Sequence, residues 1–125
     1  MSVESQASHA GRRNHLAGQA AEAIVANHYA SQGYQIAASR WRGKSGELDL
    51  VFSRGASTVF VEVKKSRSLE RAAESLKPRQ IERILAAVSE YMAMLPAGQS
   101  SDVRIDVALL DDKGMLEVLT GVISA

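Results

Sequence analysis

Gly46–Phe52 reads GELDLVF and Thr58–Lys64 reads TVFVEVK. Both runs alternate apolar and polar residues with a period of two, the pattern of a strand that buries one face. Ser53–Ser57 (SRGAS) lies between them and carries Gly55. Two alternating runs around a short glycine-bearing link predict an antiparallel hairpin. With Gly55-Ala56 at the centre of the turn, opposed residues have numbers that sum to 111, so Asp49 faces Glu62 and Glu47 faces Lys64. Opposed Cβ atoms lie on the order of 5 Å apart. Glu62 and Lys64 are two apart on one strand and leave the same face, while Leu48, Leu50, Val61 and Val63 fill the other.

Outward from the hairpin, Leu16–Ser31 is rich in alanine and is predicted to be a helix that ends before Gly33, and Tyr34–Ala37 a short strand. Ser66–Ser75 is charged without a clear period, which suggests a loop or a frayed helical start. From Pro78 onward, Ile81, Ile84, Leu85, Val88, Tyr91, Met92 and Leu95 recur at helical spacing until Pro96-Ala97-Gly98 stops them. Val103–Leu110 and Met115–Ser124 are predicted to be two further strands, joined by the turn Asp111-Asp112-Lys113-Gly114. The order α, β, β, β, α, β, β suits an α/β domain with a central mixed β-sheet flanked by helices. The expected organisation is a loose polar tail over residues 1–11 and a single domain over 12–125.

Composition narrows the class. The chain has 125 residues, 46% of them hydrophobic, and no cysteine, so a disulfide framework and a thiolate zinc site are both excluded. No apolar run approaches the roughly 18 residues of a membrane span, and Met1–Gly11 lacks the apolar core of a secretory signal. A cytoplasmic protein is the expectation. The net charge of +1 hides an asymmetry: Arg40–Arg83 holds 11 basic against 6 acidic side chains, and the rest of the chain is net acidic. A basic segment of this kind suits the phosphates of nucleic acid, and equally a solvated surface.

Two acids opposed on a sheet repel, and burying them raises at least one carboxyl pKa unless a cation compensates. Mg²⁺ takes hard oxygen ligands, commonly one or two carboxylates completed by water and substrate phosphate, and Asp49 and Glu62 supply that number. Lys64 beside them is placed to orient the attacking water and to stabilise charge growing on a phosphate. The competing reading is a solvent-facing stripe of ion pairs formed by Glu47, Asp49, Glu62 and Lys64.

The run AEAIVANHYASQGY at 21–34, GELDLV at 46–51, FVEVK at 60–64, a following amphipathic helix and RIDV at 104–107 together resemble the small bacterial family of YraN-like proteins. The resemblance spans Gly18 to Val107. It implies a restriction-endonuclease-like fold and a PD-(D/E)XK active site, in the wider group that includes Holliday-junction resolvases. On that resemblance Asp49 and Glu62 are metal ligands, Lys64 is the lysine of the E-x-K element, and Glu22 is the helix-borne glutamate that adds a third acid. The implied cofactor is Mg²⁺ or Mn²⁺, and the implied substrate is nucleic acid, structured or branched DNA in particular. Three positions depart from the family pattern: Ala21 replaces glycine, Arg40 replaces asparagine, and Gln80 replaces a lysine. Gln80 can still hydrogen-bond a phosphate or a ligand water, but it brings no charge.

The expected nucleic-acid contacts are Arg40, Trp41, Arg42, Lys44, Lys65, Arg67, Gln80 and Arg83. Trp41 either stacks on a base or packs beside its flanking arginines. His9, His15 and His28 form no close pair of the kind a zinc helix uses. Arg104 and Asp106 share a strand face and are expected to pair structurally, and Gly43-Lys44-Ser45 lacks the spacing of a P-loop. A one-site nuclease that cuts both strands suits a homodimer. The alternative function is a non-catalytic module that keeps the nuclease fold to bind nucleic acid or a protein partner.

Overall fold

The computed structural model describes residues 18–124. The expected N-terminal tail and the expected start of the first helix at Leu16 lie outside them. Helix α1 (18–30) leads into five strands and two more helices: β1 (Gln35–Arg42), β2 (Glu47–Arg54), β3 (Ser57–Lys65), α2 (Leu69–Glu74), α3 (Pro78–Met92), β4 (Asp102–Leu110) and β5 (Leu116–Ile123). The strands lie side by side in chain order, with β3 and β4 parallel and every other pair antiparallel. A parallel pair needs a crossover, and α2 and α3 supply it.

The two faces of this mixed sheet carry separate apolar clusters. On one, Ala21, Val25 and Tyr29 of α1 pack on Leu50, Phe52, Val59, Val61, Ala108 and Leu110. On the other, Ala72 of α2 and Ile84, Ala87, Val88 and Met92 of α3 cover Val51, Phe60, Ile105, Val107 and Leu109. Full burial of side chains such as Ile84, Val88 and Met92 contributes about 1.5–3 kcal/mol each. Strand β3 is covered on both sides, so Val59, Phe60, Val61 and Glu62 are all buried in succession. That is the setting in which a charged side chain is costly.

The hairpin register follows the expected sum, from Arg54↔Ser57 to Leu50↔Val61. Gly55 takes φ +60 at the first central position of a two-residue turn, a conformation that favours glycine. Strand β1 runs longer than the expected Tyr34–Ala37, because pairing with β2 carries it through to Arg42. Ser66–Ser75 contains a true short helix, started by Ser68, whose Oγ accepts the Arg71 amide at 3.1 Å.

Leu48 was expected on one face with Leu50, Val61 and Val63, yet it packs in the α3-side cluster with Trp41, its partner across β1–β2, while the other three lie on the α1 side. The strand beside it, β1, is irregular at the same level. Arg40 has φ +49, the one positive φ outside glycine among the described residues. Ala38 and Trp41, an odd number of residues apart, consequently pack toward the same cluster. The left-handed conformation costs a side-chain-bearing residue about 1–2 kcal/mol, and asparagine, expected here from the family pattern, tolerates it better than arginine.

Asp106 ties the elements together. Its carboxylate is fully buried and accepts from Tyr29 Oη at 2.6 Å, from Arg104 Nε and Nη2 at 2.8 and 2.9 Å, and from the Gly121 amide at 2.9 Å. The expected Arg104–Asp106 pair is therefore one half of a larger network. The β4–β5 register shifts between Ile105 and Val107, and Gly121, at φ +62, belongs to that bulge. Asp106 takes up the amide that the bulge frees. Burial, followed by the hydrogen bond to Asp106, pushes the Tyr29 hydroxyl pKa far above its ordinary value.

Asp106→Ala should destabilise the fold by about 3–5 kcal/mol, because it leaves Arg104 and the Gly121 amide without their acceptor. Tyr29→Phe should cost about 1–2 kcal/mol. Urea denaturation of the three proteins measures both. Equal stability of the Asp106→Ala variant and the wild type would show that the network contributes nothing.

Candidate active site

Ladder pairing of β2 with β3 stops at Leu50↔Val61. Beyond that point the Asp49 carboxylate accepts the Val63 amide at 2.8 Å, so a side chain takes a donor that the neighbouring strand would otherwise use. The hairpin opens at this end and Asp49 is held against β3. Asp49 and Glu62 are close enough to share a hydrogen bond. Glu47 does not face Lys64 as expected: its carboxylate pairs with Arg42, its neighbour across β1–β2, at 3.5 Å. The physical reason is the same opening of the hairpin, which releases Glu47 from β3.

Glu62 is 7% exposed, and its Oε1 accepts from Gln80 Nε2 at 3.0 Å and lies 3.4 Å from Lys64 Nζ. Gln80 reaches it from the first turn of α3, which starts at Pro78. Gly46, Glu47, Asp49, Glu62, Gln80, Arg83 and Ile84 line a cleft of about 320 Å³ around this cluster. Burial, followed by the nearby Asp49 charge, pushes the Glu62 carboxyl up to about 7, against the pull of Lys64. Burial also raises Asp49, offset in part by the Val63 amide. The acids are therefore short of positive charge, which distinguishes them from a solvated stripe of ion pairs.

The other expected residues distribute around this centre. Glu22 is close enough for its charge to act on Asp49, but its carboxylate pairs with Arg40 at 3.2 Å. Among the described residues, no three His, Asp or Glu side chains come together in a group able to hold a metal ion. The three-acid cluster is thus not assembled in this conformation. Lys44, Lys65 and Arg67 are exposed, and Arg83 stands on the cleft wall. Trp41 packs, with its ring edge-on to Tyr91 at 5.3 Å between centroids.

Two contacts had no sequence signal. Glu90 of α3 accepts the backbone amides of Lys44 and Ser45, which fixes the link between β1 and β2 against α3. A Cβ on Gly43 would come within 2.6 Å of Glu90 Oε2 and 2.8 Å of the Trp41 ring, so any other residue here would force one of these side chains to shift. The link leads directly into β2 and so positions Asp49. The Gln80–Glu62 contact was equally hidden, because the chain order does not tell which way a side chain in a first helical turn points.

A model of the uncharacterised protein family UPF0102 matches residues 21–110, from α1 to the end of β4. The chain belongs to that family. Similar UPF0102 proteins include one from Ruegeria pomeroyi, 51% identical over 109 residues that cover 87% of this chain and 89% of the relative. One from Roseobacter denitrificans is 48% identical, covering 93% and 90% of the two chains. One from Cereibacter sphaeroides is 46% identical, covering 92% and 98%. The span matched in this UPF0102 chain includes Glu22, Asp49, Glu62, Lys64 and Gln80. No described helix is long and apolar enough to cross a membrane.

The raised Glu62 pKa fixes the sign of a pH effect. The carboxyl ionises near 4.5 when unfolded and near 7 when folded. Across that window the folded state holds a proton that the unfolded state has lost, so stability falls as pH rises through it and stays lower above. In chelator-treated protein, Glu62→Gln should therefore raise the melting temperature by several degrees at about pH 8 and far less at about pH 5. An equal shift at both pH values would place the charge deficit elsewhere.

Proposed function

We propose that this UPF0102 protein is a metal-dependent endonuclease of restriction-endonuclease-like fold, with a PD-(D/E)XK site built from Asp49, Glu62 and Lys64. The observation that carries the reading is the pairing of two under-compensated, largely buried acids with a lysine at the open end of a hairpin. Structural ion pairs are ordinarily balanced, whereas a site that binds a cation keeps a deficit of positive charge until the cation arrives.

The donor set fits Mg²⁺ or Mn²⁺: two hard carboxylates at one end of a cleft, with room for water and a phosphate oxygen. Asp49 and Glu62 would hold the ion. When bound, it would polarise the phosphate and make a water molecule more acidic. Asp49 is kept in place by the Val63 amide, and Glu62 by Gln80 and Lys64. The Lys64 side chain is 17% exposed, and its ammonium would meet the phosphate oxygen that gains negative charge during attack. Arg83 on the cleft wall would grip a flanking phosphate, and Lys44, Lys65 and Arg67 would add contacts that read the backbone rather than base edges.

Nucleic acid, DNA in particular, is the proposed substrate, because the Arg40–Arg83 segment, from which most of the cleft's lining residues come, is net basic. Branched or otherwise structured DNA fits a site that relies on phosphate contacts. A homodimer would bring two such sites to the two strands.

The test incubates the full chain with branched, linear duplex and single-stranded DNA, with Mg²⁺ or Mn²⁺, over a range of salt. Cleavage should appear with the wild type, and Lys64→Ala should lower turnover by about 10²-fold or more while changing DNA binding much less. Wild-type protein that leaves every substrate intact overturns the nuclease reading. DNA binding that survives both chelation and Lys64→Ala, with no cleavage, assigns the chain instead as a non-catalytic binding module.

A further inference from the structure

Gln80 was expected at the nucleic-acid surface. Its amide instead donates to Glu62 Oε1 at 3.0 Å, and Lys64 Nζ approaches the same oxygen at 3.4 Å. A carboxylate oxygen offers two lone pairs, so these two donors occupy Oε1 and leave Oε2 free of either. The Glu62 side chain is buried on the central strand β3, where it has few ways to turn. A donor fixed to one oxygen therefore sets where the other points.

We propose that Gln80 is a positioning residue for metal binding: it orients the Glu62 carboxylate so that Oε2 is presented together with Asp49 to a divalent cation. The inference rests on the carboxylate site proposed above and adds to it a residue that touches neither the cation nor the substrate.

Several features suit Gln80 to this task. It stands in the first turn of a 15-residue helix, so its backbone is fixed: its amide bonds to the Lys77 carbonyl at 3.0 Å, and Pro78 begins the helix. The side chain is half-buried in the cleft wall, which limits competition from water. As an amide it donates without placing a second cation beside Lys64, so the two acids keep the charge deficit that draws a metal ion. Residues that hydrogen-bond a metal-binding carboxylate from outside govern its orientation, and their loss commonly weakens metal affinity by about 10–100-fold.

The test is calorimetric titration of the full chain with Mn²⁺, without nucleic acid, with melting temperatures measured in parallel. Gln80→Met keeps the length and helix preference of the side chain and removes only the donor. Arg79→Met alters the adjacent, exposed residue of the same turn and serves as the control. The proposal expects Gln80→Met to weaken Mn²⁺ binding about tenfold or more at an unchanged melting temperature, and Arg79→Met to leave the affinity unaltered. Wild-type affinity in Gln80→Met overturns the role of Gln80 and leaves the Asp49–Glu62 site standing. An equal loss in both variants overturns it as well, since the cause would then be a disturbed turn. A wild type that takes up no Mn²⁺ removes the carboxylate site and the Gln80 assignment together.

Discussion

The architecture hangs on a buried carboxylate whose charge is completely answered. Asp106 has no exposed surface, and in an apolar interior an ionised acid is tolerated only when donors surround it. Tyr29 comes from α1, Arg104 from β4 and the Gly121 amide from β5, so satisfying this one side chain fixes three elements against each other. The bulge in β5 and the placement of α1 on its face of the sheet are both parts of that solution. With α1 held there, Glu22 is brought close to the end of β2 that carries Asp49.

Asp49 and Glu62 follow the opposite logic on the same sheet. They are largely buried and adjacent, and between them they have a backbone amide, a neutral side-chain amide and a lysine. The result is a pair that holds on to a proton near neutrality, with Glu62 raised to about 7. One acid network is saturated with donors, while the other is left short of positive charge. Degree of compensation, more than burial itself, separates the structural acid from the pair proposed to bind a cation.

Legibility from sequence followed locality. The β2–β3 register was legible because a two-residue turn with Gly55 leaves little freedom, and alternation then assigns faces. Helix α3 was legible from its apolar spacing and its initial proline. The short helix α2 was ambiguous because six residues hold too few apolar positions to show a period, and its Ser68 cap is a weak mark on its own. The facing of Leu48 was hidden, since alternation assumes extended backbone throughout, and its β1 neighbourhood departs from that at Arg40. Pairing of Glu47 with Arg42 was hidden because hairpin arithmetic presumes that the ladder continues to its end, whereas Asp49 interrupts it.

The sequence by itself determined helix α3 and strands β2 to β5, and that Asp49, Glu62 and Lys64 gather at one end of a hairpin, because those outcomes depend on turn geometry and on periods of two and 3.6 residues. Tertiary structure alone decided the partners of these groups: Gln80 on Glu62, Arg40 on Glu22, Glu90 on the link before β2, and Tyr29 on Asp106. Each of those contacts joins residues at least 18 positions apart in the chain. Such contacts arise only once helices dock on the sheet, and the direction in which a polar side chain then points is fixed by the nearest unsatisfied charge rather than by its neighbours in sequence.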